Sequence, residues 1–172
     1  PAWPEDPRLQ FDAHYEPVVM GGTMFVASSH TDSLTAINTS TGEERWKFYA
    51  DGPIRLAPIA ARGNVYFGSD DGCFYCLDAD QGALRWKIEA APSERRALGN
   101  QRLVSIWPIR GGAVLVDDKI HFTAGVWPFE GTLLYAVDLN SAKGNSVPRY
   151  TVTPLDDFAP QGHLAAGNGK LI

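Results

Sequence analysis

A chain of 172 residues, 44% hydrophobic and carrying 17 Gly and 12 Pro, is long enough for one globular, turn-rich domain. Its formal charge of -5 comes without a long run of Lys or Arg, which argues against a nucleic-acid or anionic-membrane surface. No apolar run approaches the roughly 18 residues that a membrane-spanning helix needs.

Residues 1–16 open with Pro1-Ala2-Trp3-Pro4-Glu5-Asp6-Pro7 and read as an irregular lead-in. From Pro17 to Phe48 come four short apolar segments: Val18-Val19-Met20, Met24 to Ala27, Leu34 to Ile37 and Arg45 to Phe48. Pro58 to Lys87 repeats them more clearly. Ile59-Ala60-Ala61 is stopped by Arg62-Gly63-Asn64, and Val65-Tyr66-Phe67 by Ser69-Asp70-Asp71-Gly72. Cys73 to Leu77 ends at Asp78-Ala79-Asp80-Gln81-Gly82, and Leu84 to Ile88 alternates apolar with charged residues. Turns this short force neighbouring strands antiparallel, so each unit is a four-stranded meander. Cys73 and Cys76 are i and i+3 on one strand and point to opposite faces, so they read as small strand residues. A redox or zinc pair needs a turn or a helix start.

A more divergent copy follows in Ala113 to Val116, Lys119 to Thr123, Leu133 to Asp138 and Arg149 to Val152. Another begins at Leu164-Ala165-Ala166-Gly167-Asn168-Gly169. Trp46 and Trp86 are 40 residues apart, as are Gly42 and Gly82. A period near 40 with four strands per repeat is the signature of a propeller blade. The fold class is therefore all-β. We expect a partial β-propeller with blades at 14–52, 55–92 and 110–152 and the start of another at 161–172, taken from a seven- or eight-bladed ring. Almost no helix is expected outside Ser93 to Leu98, where Pro92-Ser93-Glu94 reads as a helix start.

Ala36-Ile37-Asn38-Thr39-Ser40-Thr41-Gly42-Glu43-Glu44-Arg45-Trp46 resembles the tryptophan-docking motif of pyrroloquinoline-quinone-type (PQQ) propellers, and Cys76 to Trp86 resembles it with Cys in the Ala place. From Ala136 the pattern departs: Ala142 holds the Gly place and Ser146 the Trp place. The resemblance implies structural roles: Trp46 and Trp86 pack between blades, and Gly42 and Gly82 permit the turns. It extends to quinone-dependent dehydrogenases and to cofactor-free propellers such as the outer-membrane assembly lipoprotein. It is similar above all to large bacterial proteins that share runs like Trp107-Pro108-Ile109-Arg110-Gly111-Gly112. A periplasmic or cell-envelope location is what this resemblance implies. The dehydrogenases carry vicinal cysteines beside the quinone and this chain has none, so no cofactor is expected, with PQQ as the open alternative.

Lettering the strands of a blade A to D from the axis outward, the A–B turns are minimal and the length variation falls on the opposite face. Trp46 to Ile59 spans 13 residues, whereas Trp86 to Val114 spans 28, with the extra chain within Pro92 to Ile106. Any binding site is expected on that face. Arg55 and Arg110 are equivalent, four residues before strand A, and His14 and Gln161 hold the same place in the first and fourth copies. These four residues form the candidate ligand site, since two converging guanidiniums suit a carboxylate or phosphate. Pairing of each Arg with a carboxylate such as Asp70 or Glu130 is the competing reading. His30, Asp32, Asp70-Asp71-Gly72, Arg95, Arg96 and Arg102 read as solvated loop residues. The spacing of His121 and His163 supports no metal site, and no catalytic residue is assigned.

Two functions follow. One is a non-catalytic scaffold or binding module, partnered by the remaining blades of the same chain and by a protein or a small anionic ligand, with no nucleic acid and no membrane span. The other is part of a quinone-dependent dehydrogenase, with Arg55 or Arg110 holding a quinone carboxylate.

Overall fold

The computed structural model describes residues 16–99, 102–159, 162–168 and 170–171. The first sheet runs in chain order through β1 (Val18–Met20), β2 (Thr23–Ser28), β3 (Ser33–Asn38) and β4 (Glu44–Tyr49), each antiparallel to the next. The second repeats this with β5 (Ile59–Ala61), β6 (Asn64–Gly68), β7 (Cys73–Asp78) and β8 (Leu84–Glu89). After a hairpin of β9 (Arg96–Gly99) and β10 (Arg102–Ser105) comes the third sheet. It contains β11 (Gly111–Val116), β12 (Lys119–Ala124), β13 (Thr132–Asp138) and β14 (Tyr150–Leu155). Strand β15 (Gly162–His163) joins β11, and β16 (Ala166–Gly167) pairs with β17 (Lys170–Leu171). The chain is a partial β-propeller.

The three A–B turns explain the regular meander. Their central residues take positive φ in pairs: Gly21 and Gly22 (56° and 75°), Arg62 and Gly63 (53° and 70°), Asp117 and Asp118 (45° and 63°). Two consecutive left-handed residues match the twist of the flanking strands. Along each strand, alternate side chains go to opposite faces. Phe25, Leu34 and Ala36 of the first sheet therefore meet Val65, Phe67, Tyr75 and Leu77 of the second. The other face of the second sheet, with Tyr66, Phe74, Cys76 and Ile88, meets Ile120, Phe122, Tyr135 and Val137 of the third. Buried on both sides, β6 and β7 are almost continuously apolar. Phe74 stacks nearly parallel on Phe122 across the second interface, with centroids 4.1 Å apart, and Phe122 on its cross-strand neighbour Tyr135 at 4.9 Å. Burying each phenylalanine contributes roughly 1.5–3 kcal/mol.

Three expectations need correction. Ser93 to Leu98 is not helical: Arg96–Gly99 is a strand paired with Arg102–Ser105, because the segment closes a hairpin instead of capping a turn. The short 3-10 turns lie at Pro128–Glu130 and Leu139–Ser141. The third sheet has five strands, because Gly162–His163 adds to β11 in parallel. The motif beginning at Ala136 was also read with too short a turn. The N–H groups of Asn38 and Asp78 bond the carbonyls of Glu43 and Ala83, five residues on, while that of Asp138 reaches Arg149, eleven residues on. The residue opposite Ala136, where Trp46 and Trp86 oppose Ala36 and Cys76, is therefore Thr151 and not Ser146. Ala142 keeps a negative φ, and the left-handed residue of this turn is Gly144 at 58°.

Candidate functional site

Arg55 and Arg110 arise from connections that lead into strands A of the second and third sheets, and they converge on one carboxylate. Arg55 Nε donates to Asp70 Oδ2 at 2.6 Å. Arg110 donates twice, Nε to Oδ1 at 2.8 Å and Nη2 to Oδ2 at 2.9 Å. Asp70 is only 1% exposed. Its backbone is equally bound: its N–H donates to Pro53 O and its carbonyl accepts from Ser105 N–H. The B–C loop of the second sheet thus holds the connections on either side of it. The anion between the two guanidiniums is an internal one, and Arg110 keeps 28% of its side chain exposed. His14 and Gln161 lie outside the described residues.

A second polar contact joins the lead-ins of the first and fourth copies. His163 Nε2 lies 2.6 Å from a Glu16 carboxylate oxygen. His163 also crosses Gly112, where a Cβ would stand 2.8 Å from its Nδ1. Glu16 and His163 each stand two residues before the strand-A positions Val18 and Ala165. That shared offset was the available sequence signal for this pairing.

The insertion folds back as a brace. Arg95 makes a forked pair with Glu130 on the B–C loop of the third sheet, at 2.8 and 3.1 Å. Trp107 Nε1 donates to Glu130 O on the same loop. From the other strand of the hairpin, Arg102 bonds Asp32 and the carbonyl of His30 on the B–C loop of the first sheet. The hairpin therefore touches the same loop in all three sheets, and Asp32, Glu130, Arg95 and Arg102 are bridges, not isolated solvated groups. Arg96 is exposed. Beneath the hairpin lies a cleft of ≈ 630 Å³ whose lining includes Asp51, Asp71, Lys87, Glu89 and Arg96. Burial pushes the Asp71 carboxyl above its usual range, against hydrogen bonds from Tyr75 O–H and Cys73 N–H that pull the other way.

The docking tryptophan of the first sheet reaches the second. Trp46 Nε1 donates to Ala79 O at 3.1 Å, and its ring covers Gly82, where a Cβ would sit 2.6 Å from ring carbon Cδ2. Gly82 and Gly42 both hold positive φ, at 69° and 74°. Trp86 packs beside Tyr66 and Phe74 and shares a cleft with Leu139, Ala142 and Gly144 of the third sheet. Cys73 turns toward the first sheet and Cys76 toward the third. Burial pushes each thiol up to about 12.

A quinone site can be tested against these residues. The two guanidiniums suited to quinone carboxylates are engaged by Asp70, and the two cysteines face different interfaces, so they cannot act as a vicinal pair. Among the described residues, no three His, Cys, Asp or Glu side chains group as a metal site would require. Among the described residues, these side chains do not by themselves assemble a quinone site.

Comparison with known proteins agrees with this architecture. The family model described as "Outer membrane protein assembly factor BamB" matches residues 2–154. The dehydrogenase subunit of a quinone alcohol dehydrogenase from Gluconobacter oxydans is 28% identical over 94% of this chain and 22% of its own. The crystal structure of BamB from Moraxella catarrhalis superposes with a TM-score of 0.57 at 18% identity, over 81% of this chain and 36% of that one. A quinohemoprotein alcohol dehydrogenase from Comamonas testosteroni gives a TM-score of 0.59 at 21% identity, over 79% and 20%. The chain thus spans about a fifth of the length of the curated relative it matches. With three repeated sheets, tryptophan docking between the first two, and a family match over most of its length, the chain belongs to the BamB-like family of PQQ-type propeller repeats.

Proposed function

We propose that this chain is a non-catalytic part of a larger propeller whose loop-rich face docks a protein partner. One observation carries the reading: large apolar side chains stand exposed on braced loops of that face. Leu98 is 77% and Phe129 82% exposed, and Leu103, Trp127 and Phe158 are exposed beside them in the chain. Apolar groups held outward on fixed loops and rimmed by Arg are the composition of an interaction surface. The family match, to an outer-membrane assembly factor, supports a partner protein and an envelope location.

A photo-reactive residue at position 98 or 129 of the full-length protein is expected to cross-link one protein in cells. Position 41, on the opposite turns, is expected to give none. Cross-linking that is equal from both faces, or absent from 98 and 129, would overturn the reading.

Two further readings each have an observation behind them. The exposed edge of Arg110, beside Arg55 and Asp70, supports a small carboxylate or phosphate bound there. The Gluconobacter relative supports membership of a quinone-dependent dehydrogenase whose other parts supply the cofactor site. Quinone absorbance in the full-length protein separates that reading from the scaffold.

A further inference from the structure

The two docking tryptophans meet different turns. Trp46 is closed over by the C–D turn of the second sheet: its indole N–H donates to Ala79 O, and its ring lies on Gly82. Asp78 and Asp138 open the equivalent turns, so the third sheet sets Leu139 in the place of Ala79 and Ala142 in that of Gly82. The carbonyl of Leu139 is engaged within a 3-10 turn, where it accepts from Ala142 N–H. Ala142 carries a side chain at a φ of -63°, where Gly82 is bare at 69°. Trp86 is only 6% exposed, yet its indole N–H has no acceptor among the described residues. Polar atoms of side chains buried this deeply are nearly always paired, with protein or with what occupies the space beside them.

Trp86 lines a cleft of ≈ 420 Å³ between the A–B turn of the second sheet and the C–D turn of the third, on the face opposite the braced loops. Tyr66 and Trp86 set their rings in one wall, tilted by 43° with centroids 5.8 Å apart, and Leu139 and Ala142 line it from the third sheet. Arg62 and Arg85 complete the polar lining, and among the described residues no Asp or Glu lines it. The carboxylates that pair with the two guanidiniums, Asp118 and Asp78, stand outside the lining. Asn140 and Asn145 bind the same guanidiniums from the third turn, which fixes both arginines beside the cleft. Burial pushes the Tyr66 hydroxyl up to about 12, so it keeps its proton at neutral pH. The lining is therefore rich in donors, poor in acceptors and part apolar.

We propose that this cleft binds a small aromatic carboxylate, which takes the indole N–H of Trp86 as a donor and lies between the second and third sheets. Each part of that ligand answers a feature of the lining. The rings of Tyr66 and Trp86, with Leu139 and Ala142, offer walls that a flat ring covers. An acceptor is required by the indole N–H, and a negative charge suits two guanidiniums in a lining without a carboxylate. Phosphate would leave the apolar walls uncovered, and a plain hydrocarbon would leave the indole N–H unpaired. The volume is at the small end of ligand pockets and fits one substituted ring. Both walls belong to sheets described above, so the site needs no further blade. It is separate from Arg55, Arg110 and Asp70, and it does not rest on the docking surface of the loop-rich face.

Benzoate, added to the purified full-length protein, is the probe. In nitrogen-15 spectra the indole resonance of Trp86, identified by its loss in Trp86→Phe, is expected to shift saturably with benzoate. The indole resonance of Trp46, already bonded to Ala79, should stay in place, and acetate at the same concentration should move neither. No saturable shift at Trp86 would mean that the cleft holds only water and would overturn the proposal. So would an equal shift at Trp46, or an equal response to acetate. Trp86→Phe keeps a ring but removes the donor, and calorimetry should find benzoate bound about tenfold more weakly. Undiminished affinity overturns the role of the indole N–H and the proposal with it. Should that variant fail to fold, Ala142→Leu decides: it fills the cleft from the turn and should abolish binding, whereas unchanged affinity overturns the proposal.

Discussion

Arg110 grips Asp70 with two parallel hydrogen bonds, and in doing so ties the lead-in of the third sheet to a loop of the second. The carboxylate is buried and Arg55 binds it from the other side, so the pair is part of a desolvated network. Such a network is sensitive to losing the buried anion that both guanidiniums share, because the desolvated charges then lose their common partner.

Asp70→Asn should therefore lower stability by about 3–5 kcal/mol. Equilibrium denaturation of the protein measures it. A change below about 0.5 kcal/mol would mean that water or another anion compensates, and that Asp70 is not what holds the two connections.

Gly82 and Trp46 form the second tie. A methyl at residue 82 would collide with the indole, and the residue sits at a φ of 69°, which L side chains rarely adopt. Gly82→Ala combines overpacking with backbone strain and should cost about 1–3 kcal/mol. Gly42→Ala meets no atom within 4 Å at the same kind of turn, so it isolates the backbone part. If both variants lose equal stability in denaturant, the ring contact contributes nothing.

Much of this architecture was legible because its causes are local. Turn residues such as Arg62-Gly63 and apolar alternation set the strands, and the 40-residue repeat of Trp46 and Trp86 set the blades. The equivalent placement of Arg55 and Arg110 showed that they would meet. Pairing with Asp70 was the competing reading, but the placement did not show that one carboxylate would serve both arginines, because nothing local distinguishes a buried Asp from the exposed Asp of any turn. The hairpin at 96–105 was misread for the same reason: a Pro-Ser-Glu start favours a helix locally, while the bridges from Arg95 to Glu130 and Arg102 to Asp32 are long-range. The third docking motif was lost to six extra residues in its turn, which moved Thr151 into the tryptophan's place.

Cys73 and Cys76 should be inert in the native protein. Both are buried, and that burial raises each thiol to about 12, so little thiolate exists at neutral pH. An Ellman titration at pH 8 is expected to find no fast reaction of Cys73 or Cys76 until denaturant is added. Stoichiometric reaction of either thiol before unfolding would show that one interface is open.

His121 gives the stability a pH dependence of predictable sign. Burial, and secondarily the charge of Lys119, holds its pKa below the ordinary 6.5. Asp138 and Arg149 lie on the same face and carry opposite charges in a 3.4 Å pair, so they add little net field. The unfolded chain takes up the proton more readily than the folded one. The contribution is thus complete above about 6.5 and is lost as pH falls below that value. Asp78 and Asp118, whose carboxyls are held low by hydrogen bonds, lose their contributions only in more acid solution. Denaturant midpoints should therefore decline between about pH 7 and 5 in the wild type. In His121→Gln that decline should flatten while the steeper loss below pH 4 remains. A variant with the wild-type slope between pH 7 and 5 would assign the titration to another group and show that the His121 ring stays in contact with solvent.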